Sequence, residues 1–509
     1  MSKTPSPQGA GPARVPQLLR AAQLGTGPLT GVMLSAAAVL TVVAGVIPTA
    51  YAAIGLTALP LVFLLVGAVL AVFMPGYLAA ARVCPSAGGL YTVIAAGLGR
   101  VPGVGAAWLA VVGYLSVQVA AYGAVGSALG PLIGEATGWR LPWWAVALSC
   151  WALVSTLGVL RVTVSAKVLA VLCAGELLIV MLTSASNVGS VLFSGHPHPI
   201  DLADSFDPAG LGSPAIGGAL VIVVLAYVGI EQGIPYAEEA RPRAVPQATL
   251  LTLGLITGLY TVSAWAMTVP DGPARTIEHA GEYGTNLVAL AALDQLGEPA
   301  ANAVRLLFGT SLIAAMLAFH NTGSRYVFSL ARERVLPAWI ARTHTRTAAP
   351  IWASALQSAA VAAVIGAYTV AGWDPVTRMF YLFGAAGGFA VLCLLTATSL
   401  AAVFLLHGPD QPRLGVWTRL ICPIVATVLL AAMVALALVN FAAVLGVAET
   451  SPLRWEVPAA LAVLTAAGCA RGLWLRTARP EVYASIGRAT RAALPEQLPD
   501  SPYREPQSA

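Results

Sequence analysis

The stretch Leu220-Val-Ile-Val-Val-Leu-Ala-Tyr227-Val-Gly229-Ile-Glu231-Gln-Gly233-Ile-Pro235-Tyr-Ala-Glu238-Glu239-Ala-Arg241-Pro-Arg243 decides the fold. It begins as a membrane-length apolar run and is interrupted near its middle by two glycines, a proline and a carboxylate. An ionisable side chain at bilayer depth costs at least about 2.5–3.5 kcal/mol, so it faces a cavity, a partner or a proton path. Backbone freed by a helix break is tolerated at that depth only where protein or a water-filled cavity satisfies it. A broken helix carrying an acid is how many membrane transporters build a substrate site.

The rest of the chain agrees with a membrane setting. Of 509 residues, 58% are hydrophobic and only 10% are charged, which excludes an ordinary soluble globular domain. Apolar runs of roughly 20 residues, enough to cross a hydrocarbon core, begin near Gly31, Leu59, Pro102, Pro142, Val164, Pro214, Val245, Asn302, Ile351, Arg378, Trp417 and Trp455. The expected fold is an all-α polytopic membrane protein with twelve transmembrane helices. The first apolar run continues as a full span, so no cleavable signal peptide is expected.

Charge sets the expected orientation. With the N-terminus inside, only Arg140, Arg275, Arg305, Arg378 and Arg454 of the 27 Lys and Arg fall outside. That obeys the positive-inside rule, with both termini cytoplasmic and the cell membrane as the location. The net charge of +5 is then an orientation signal, and nucleic acid is not expected as a partner. The six cysteines lie in or beside apolar spans without CxxC spacing, so neither disulfides nor a metal site is expected. No nucleotide-binding motif points to ATP coupling, and no cofactor is expected.

A second interruption lies in the first span, at Thr41-Val-Val-Ala-Gly45-Val-Ile-Pro48. Five spans separate it from the break around Gly229, and an odd number reverses the membrane sense. Corresponding breaks in oppositely oriented halves point to an inverted repeat with a site at the midplane. Each break offers N–H groups to a carboxylate and carbonyls to an ammonium or a cation.

Several motifs resemble the amino acid-polyamine-organocation (APC) superfamily of permeases. Val43-Ala-Gly-Val-Ile47 looks like its unwound first-span loop, with Val43 where the family has glycine. Pro85-Ser-Ala-Gly-Gly-Leu-Tyr91 resembles its Pro-x-x-Gly-Gly-x-Tyr motif. Tyr227-Val-Gly-Ile-Glu231, with Glu238 to Pro246, looks like its sixth-span pattern. Phe319-His-Asn-Thr-Gly-Ser-Arg325-Tyr and Ala331-Arg-Glu-Arg-Val-Leu-Pro337 resemble the end of its eighth span.

The resemblance implies a 5+5 inverted-repeat (LeuT-like) core with helices 1 and 6 broken, two added C-terminal helices, and alternating access. The expected organisation is a disordered cytoplasmic tail over 1–27, a first repeat over 28–193, an outer loop over 194–213 and a second repeat over 214–407. The last two spans follow over 408–476 and a cytoplasmic tail over 477–509. Carried over, Ala44, Gly45, Val46 and Ile47 would meet a substrate carboxylate. Tyr227, Val228 and Gly229 would meet its amine.

Glu231 is the first candidate for proton coupling or gating, because proton-linked relatives have an acid at this motif position. Glu176, nine residues after Lys167 in the fifth span, is the second: a buried carboxylate takes up a proton or helps hold a cation. His320 in the eighth span is the third, the alternative being an interhelical hydrogen-bonder. Glu238, Glu239, Arg241, Arg332, Glu333 and Arg334 are candidates for an inner ion-pair gate. Tyr114, Gln118 and Tyr122 at helical spacing in the third span, with Tyr227 and Tyr381, are candidate pocket side chains. No charged residue obviously reads a substrate side chain, which favours a neutral amino acid or amine.

The expected function is secondary transport of an amino acid or related amine, proton-coupled or by exchange. The alternatives are a sensor of transporter shape without turnover and a permease for another organic cation. A catalytic role is not expected, since no HExxH, acid pair or nucleophile with a base is found. A channel would want a filter-like loop, also absent.

Overall fold

The computed structural model describes residues 24–84, 88–159, 162–193, 203–213, 215–231, 233, 240–241, 243–343, 349–407, 414–445 and 447–487. Residues 1–23 of the tail expected over 1–27, the loop at 85–87 that opens the Pro-x-x-Gly-Gly motif, Pro235, Glu238, Glu239 and residues 488–509 of the tail expected over 477–509 lie outside the described residues. Among the described residues the secondary structure is helical, apart from an isolated parallel bridge between Leu24 and Ala240. In hydrocarbon every backbone group must find an internal partner, and the α-helix provides one within a single segment.

The first span is α1 (Thr26–Ala37) followed by α2 (39–54), and α3 is Leu59–Val83. A short helix, α4 (Leu90–Gly97), leads to the long α5 (Arg100–Thr137). Next come α6 (Trp143–Gly158), α7 (Val162–Phe193) and α8 (Ile216–Tyr227), and after a break α9 (Ala244–Thr268). Two short helices, α10 (Pro273–Tyr283) and α11 (Leu287–Leu296), form a hairpin ahead of α12 (Glu298–Arg332). The last long helices are α13 (Ile351–Ala371), α14 (Tyr381–Leu405), α15 (Cys422–Val439) and α16 (Leu453–Ala478), with α17 (Pro480–Ser485) at the end.

Ten helical stretches among the described residues are long and apolar enough to cross a membrane. The shorter α6 and α8 are also apolar. These helices fall on apolar runs read from sequence, and the chain is a multi-pass membrane protein. A helical pattern over Asn286 to Gln295 is legible in the sequence and corresponds to α11. The preceding α10 was not foreseen, because its amphipathic 11 residues sit between two turns and lack an apolar run.

The bundle is apolar on both its inside and its outer face. Every residue of α1 from Leu29 to Ala37 is buried, whereas α7, α9, α15 and α16 expose Leu178, Met181, Leu250, Val428 and Val463. Apolar side chains directed outward are what a lipid solvent requires. α5 packs on α12, α14 and α16, while α1 lies among α7, α9 and α12.

At the end of the bundle away from the α10–α11 hairpin, the chain's last described residues dock. Ser485 Oγ donates to the Glu333 carbonyl at 3.3 Å, and the Gly487 N–H to Glu333 Oε1 at 3.0 Å. Arg100 lies over the Tyr483 ring at 5.3 Å and Ile486 is buried. Gly487 has φ +71°, and a Cβ there would meet Ala95 Cβ at 2.7 Å, so only glycine fits this turn.

Candidate functional site

The expected breaks both exist, but the first lies earlier than the sequence predicted. Val42–Val46 wind as a π-helical stretch that runs straight into Ile47–Ile54, the Ile47 N–H reaching back to the Val42 carbonyl. The interruption falls at Ala38, whose backbone is left-handed (φ 48°, ψ 62°). Gly45 and Pro48 are therefore absorbed into helix, since a wide turn and a helix's first turn accommodate them. Nothing in Ser35-Ala-Ala-Ala38 marks a break by composition.

The second break is where the sequence placed it. α8 ends at Tyr227, Val228 is extended (φ −60°, ψ 125°) and Gly229 has φ +126°. A Cβ on Gly229 would lie 2.7 Å from the Ala37 nitrogen and 2.9 Å from the Ala36 carbonyl carbon. The two breaks touch backbone to backbone. Small residues on one side and glycine on the other permit that approach.

Each break has its freed backbone groups satisfied in the same way. At the first, the Leu40 N–H donates to Glu176 Oε2 at 3.1 Å, the Thr41 N–H to Ser311 Oγ at 3.3 Å, and Tyr260 donates to the Ala37 carbonyl at 3.2 Å. Ser311 also donates to Glu176 Oε2 at 2.7 Å. At the second, the Gly229 N–H donates to Glu231 Oε2 at 2.9 Å and Tyr77 to the Glu231 carbonyl at 2.6 Å. Tyr114 donates to Glu231 Oε1 at 2.9 Å. A carboxylate thus takes an N–H group, and a tyrosine a carbonyl, at both breaks. This is the arrangement that half-helix dipoles favour. Glu176 and Glu231 are 2% and 1% exposed, so neither carboxyl is a free ligand for a substrate.

Between the breaks lies a cavity of about 60 Å³, lined by Ala36, Ala37, Ala38, Thr41, Val42 and Val46 of the first span and Leu225 and Val228 of α8. Val117, Ala120 and Ala121 of α5, Leu312, Ala315 and Phe319 of α12, and Phe380 and Gly384 complete it. Among the described residues no charged side chain lines it. The buried Thr41 hydroxyl is without a hydrogen-bond partner there. A second space of about 30 Å³ shares Val46, Leu225, Phe380 and Gly384 with it and is bounded by Thr49 and Tyr381, whose hydroxyls are 3.2 Å apart.

Of the sequence-derived substrate candidates, Val46 and Val228 line the central cavity and Tyr381 the adjoining space. Ala44 and Ile47 are buried in helix without lining either, and Gly45 packs against Phe308. The Tyr227 hydroxyl turns away, to the Phe63 carbonyl at 2.7 Å and Thr257 at 3.2 Å. Gln118 accepts from Gln357 at 2.8 Å and lies 3.5 Å from His320 Nδ1, while His320 Nε2 is 2.7 Å from Ser354 Oγ. This buried chain ties α5, α12 and α13 together outside both spaces, and Tyr122 is buried on the same helix. The residues that sequence reasoning missed are Ala36 to Ala38, Thr41, Ala120, Ala315, Phe319 and Phe380. Small and apolar, they carry no signal until the helices assemble. Among the described residues no three His, Cys, Asp or Glu come together as metal ligands.

Comparison with known proteins adds to this geometry. A family model described as amino acid permease matches residues 27–466. Uncharacterized transporters of Mycobacterium tuberculosis and Mycobacterium bovis are each 27% identical over 153 residues, which is 30% of this chain and 34% of theirs. A protein named cationic amino acid transporter 7, chloroplastic, of Arabidopsis thaliana is 28% identical over 165 residues, 30% of this chain and 25% of its own. The matches thus span about a third or less of those relatives' length. The match over nearly the whole helical body, rather than these partial similarities, is decisive: the chain belongs to the amino acid permease family of the APC superfamily.

Proposed function

We propose that this chain is a secondary transporter of the cell membrane, moving a small neutral amino acid or related amine by alternating access. The observation that carries the reading is the meeting of the breaks at Ala38 and Gly229 beside one cavity that has no charged lining. A zwitterion needs no counter-charge from side chains there, because half-helix dipoles and the Thr41 hydroxyl supply polarity. A water-sized group needs about 10–15 Å³, so 60 Å³ holds only a handful of non-hydrogen atoms, on the scale of glycine, alanine or serine.

In this reading twelve spans form a 5+5 inverted repeat plus two helices, with both tails cytoplasmic. The Thr49–Tyr381 contact and Phe380 close the cavity toward the hairpin end. Glu231 and Glu176 link protonation to the breaks, because protonating either one weakens the dipole interaction that holds its break in place. Glu231, bonded to α5 as well as to its own break, is the first candidate.

Uptake into proteoliposomes tests the proposal, with a panel of labelled amino acids and amines and with a proton gradient, a sodium gradient or internal substrate. Flux of small neutral amino acids is expected, and Ala315→Leu should abolish it by filling the cavity. Absence of flux under every condition, with binding retained, would make the chain a sensor. Glu231→Gln should flatten the dependence of flux on external pH. An unchanged profile would move the coupling role to Glu176 or His320.

A further inference from the structure

A second, much larger cavity stands apart from the central one. A space of about 840 Å³ lies beneath the α10–α11 hairpin, walled by α7 and α9 and floored by Val43 of the first span. Its volume is within the range of small-molecule sites. Its chemistry is one-sided. Asp271 and Asp294 line it, and among the described residues no Lys or Arg does.

Three of the four hydroxyls on the α7 wall reinforce this polarity, the fourth, Ser184, being paired with Ser263 of α9 at 3.3 Å. Thr183 donates to the Ile179 carbonyl at 3.0 Å, Ser186 to the Thr183 carbonyl at 2.9 Å and Ser190 to the Asn187 carbonyl at 2.8 Å. With its proton committed to the helix backbone, each offers the cavity only acceptor lone pairs. Asn187, 7% exposed, lines the same cavity with a buried Oδ1 that has no partner among the described residues, and the buried Gln295 Oε1 is in the same condition. A buried acceptor without a donor costs about 1–3 kcal/mol, which a ligand's N–H groups would offset. His279 Nδ1 lies 3.5 Å from Asp271 Oδ2 at the cavity's edge.

We infer that this cavity is a second ligand site, separate from the central one, that takes a small organic cation bearing one or more ammonium groups. Carboxylates at Asp271 and Asp294 supply the charge, and Asn187 and Gln295 accept hydrogen bonds at its inner wall. Val43 is the residue after Val42, which lines the central cavity, so an occupant would bear on the same half-helix as the first break. The inference stands whether or not the central cavity carries a substrate.

Equilibrium binding of labelled spermidine to the full chain in phosphatidylcholine–phosphatidylglycerol nanodiscs tests it. Saturable binding is expected, weakened roughly tenfold or more by Asn187→Leu and by the double variant Asp271→Asn/Asp294→Asn. The double variant changes exposed positions and keeps the test valid if Asn187→Leu fails to fold. Unlabelled alanine should not compete. Adding phosphatidylethanolamine to the discs separates two sources of the same chemistry: competition would identify a lipid headgroup as an occupant, and its absence a free amine. Both support an ammonium site. No saturable binding, equal binding in the double variant, or displacement by alanine would overturn the inference.

Discussion

Replacing Gly229 with alanine should separate the two breaks. An added Cβ would lie 2.7 Å from the Ala37 nitrogen and 2.9 Å from the Ala36 carbonyl carbon, both backbone atoms of a buried helix that cannot swing aside. Overpacking of this kind costs about 1–3 kcal/mol. The φ of +126° adds about 1–3 kcal/mol of strain for a residue with a Cβ. A less flexible unfolded chain offsets about 0.4–1 kcal/mol. The net loss is about 1–6 kcal/mol, and uptake should fall with it because the cavity between the breaks is distorted. Gly254→Ala and Gly258→Ala are matched controls, since a Cβ at either meets open space on α9. They should be neutral, or stabilising by up to about 1 kcal/mol. Equilibrium unfolding in mixed micelles, with uptake measured on the same preparations, reads both quantities. If Gly229→Ala matches the controls in stability and flux, the breaks do not depend on backbone contact and the reasoning fails.

Glu176→Leu removes the acceptor for the Leu40 N–H and the Ser311 hydroxyl, and at about 1–3 kcal/mol for each stranded donor it should destabilise by about 2–6 kcal/mol. Glu176→Gln keeps one oxygen and should fall between it and the parent; equal stability of all three would refute this role. At the far end of the bundle, burial pushes the Glu333 carboxyl up to about 7, against the opposing effects of Tyr91, the Gly487 N–H and Arg332. A carboxyl raised on folding stabilises fully below its unfolded value near 4.5, and the contribution is lost as pH rises through about 7. Hydrogen-exchange protection of Ile486 and Gly487, corrected for intrinsic rate, should therefore fall across that window. Glu333→Gln should flatten the slope, and an unchanged slope would sink the assignment.

Membrane character, the position of nearly every helix and the second break were legible in the sequence because each is local. Apolar run length dictates a span, and Gly229 followed by Glu231 declares a break within a few residues. The first break was misplaced by several residues because Gly45 and Pro48 are the usual punctuation, whereas three alanines are good helix formers. What unwinds Ala38 is its surroundings. Glu176 comes from α7 and Ser311 from α12 to take the freed N–H groups, and Gly229 presses against the preceding turn. Those residues are more than 130 positions away in the chain.

The same division runs through the side chains. Gln118 and His320 stood out in sequence as polar groups in an apolar setting, and the fold spends them on one another and on Gln357 and Ser354. Ala120, Ala315 and Phe319 looked like ordinary packing until three helices brought them round one cavity. By itself the sequence determined a multi-pass helical body and a carboxylate at a broken helix, because hydropathy and glycine act over one turn or one span. Only the tertiary structure decided where the other break falls, which acids hold the two ends and which small residues face the cavity. Those outcomes depend on hydrogen bonds and contacts between helices far apart along the chain.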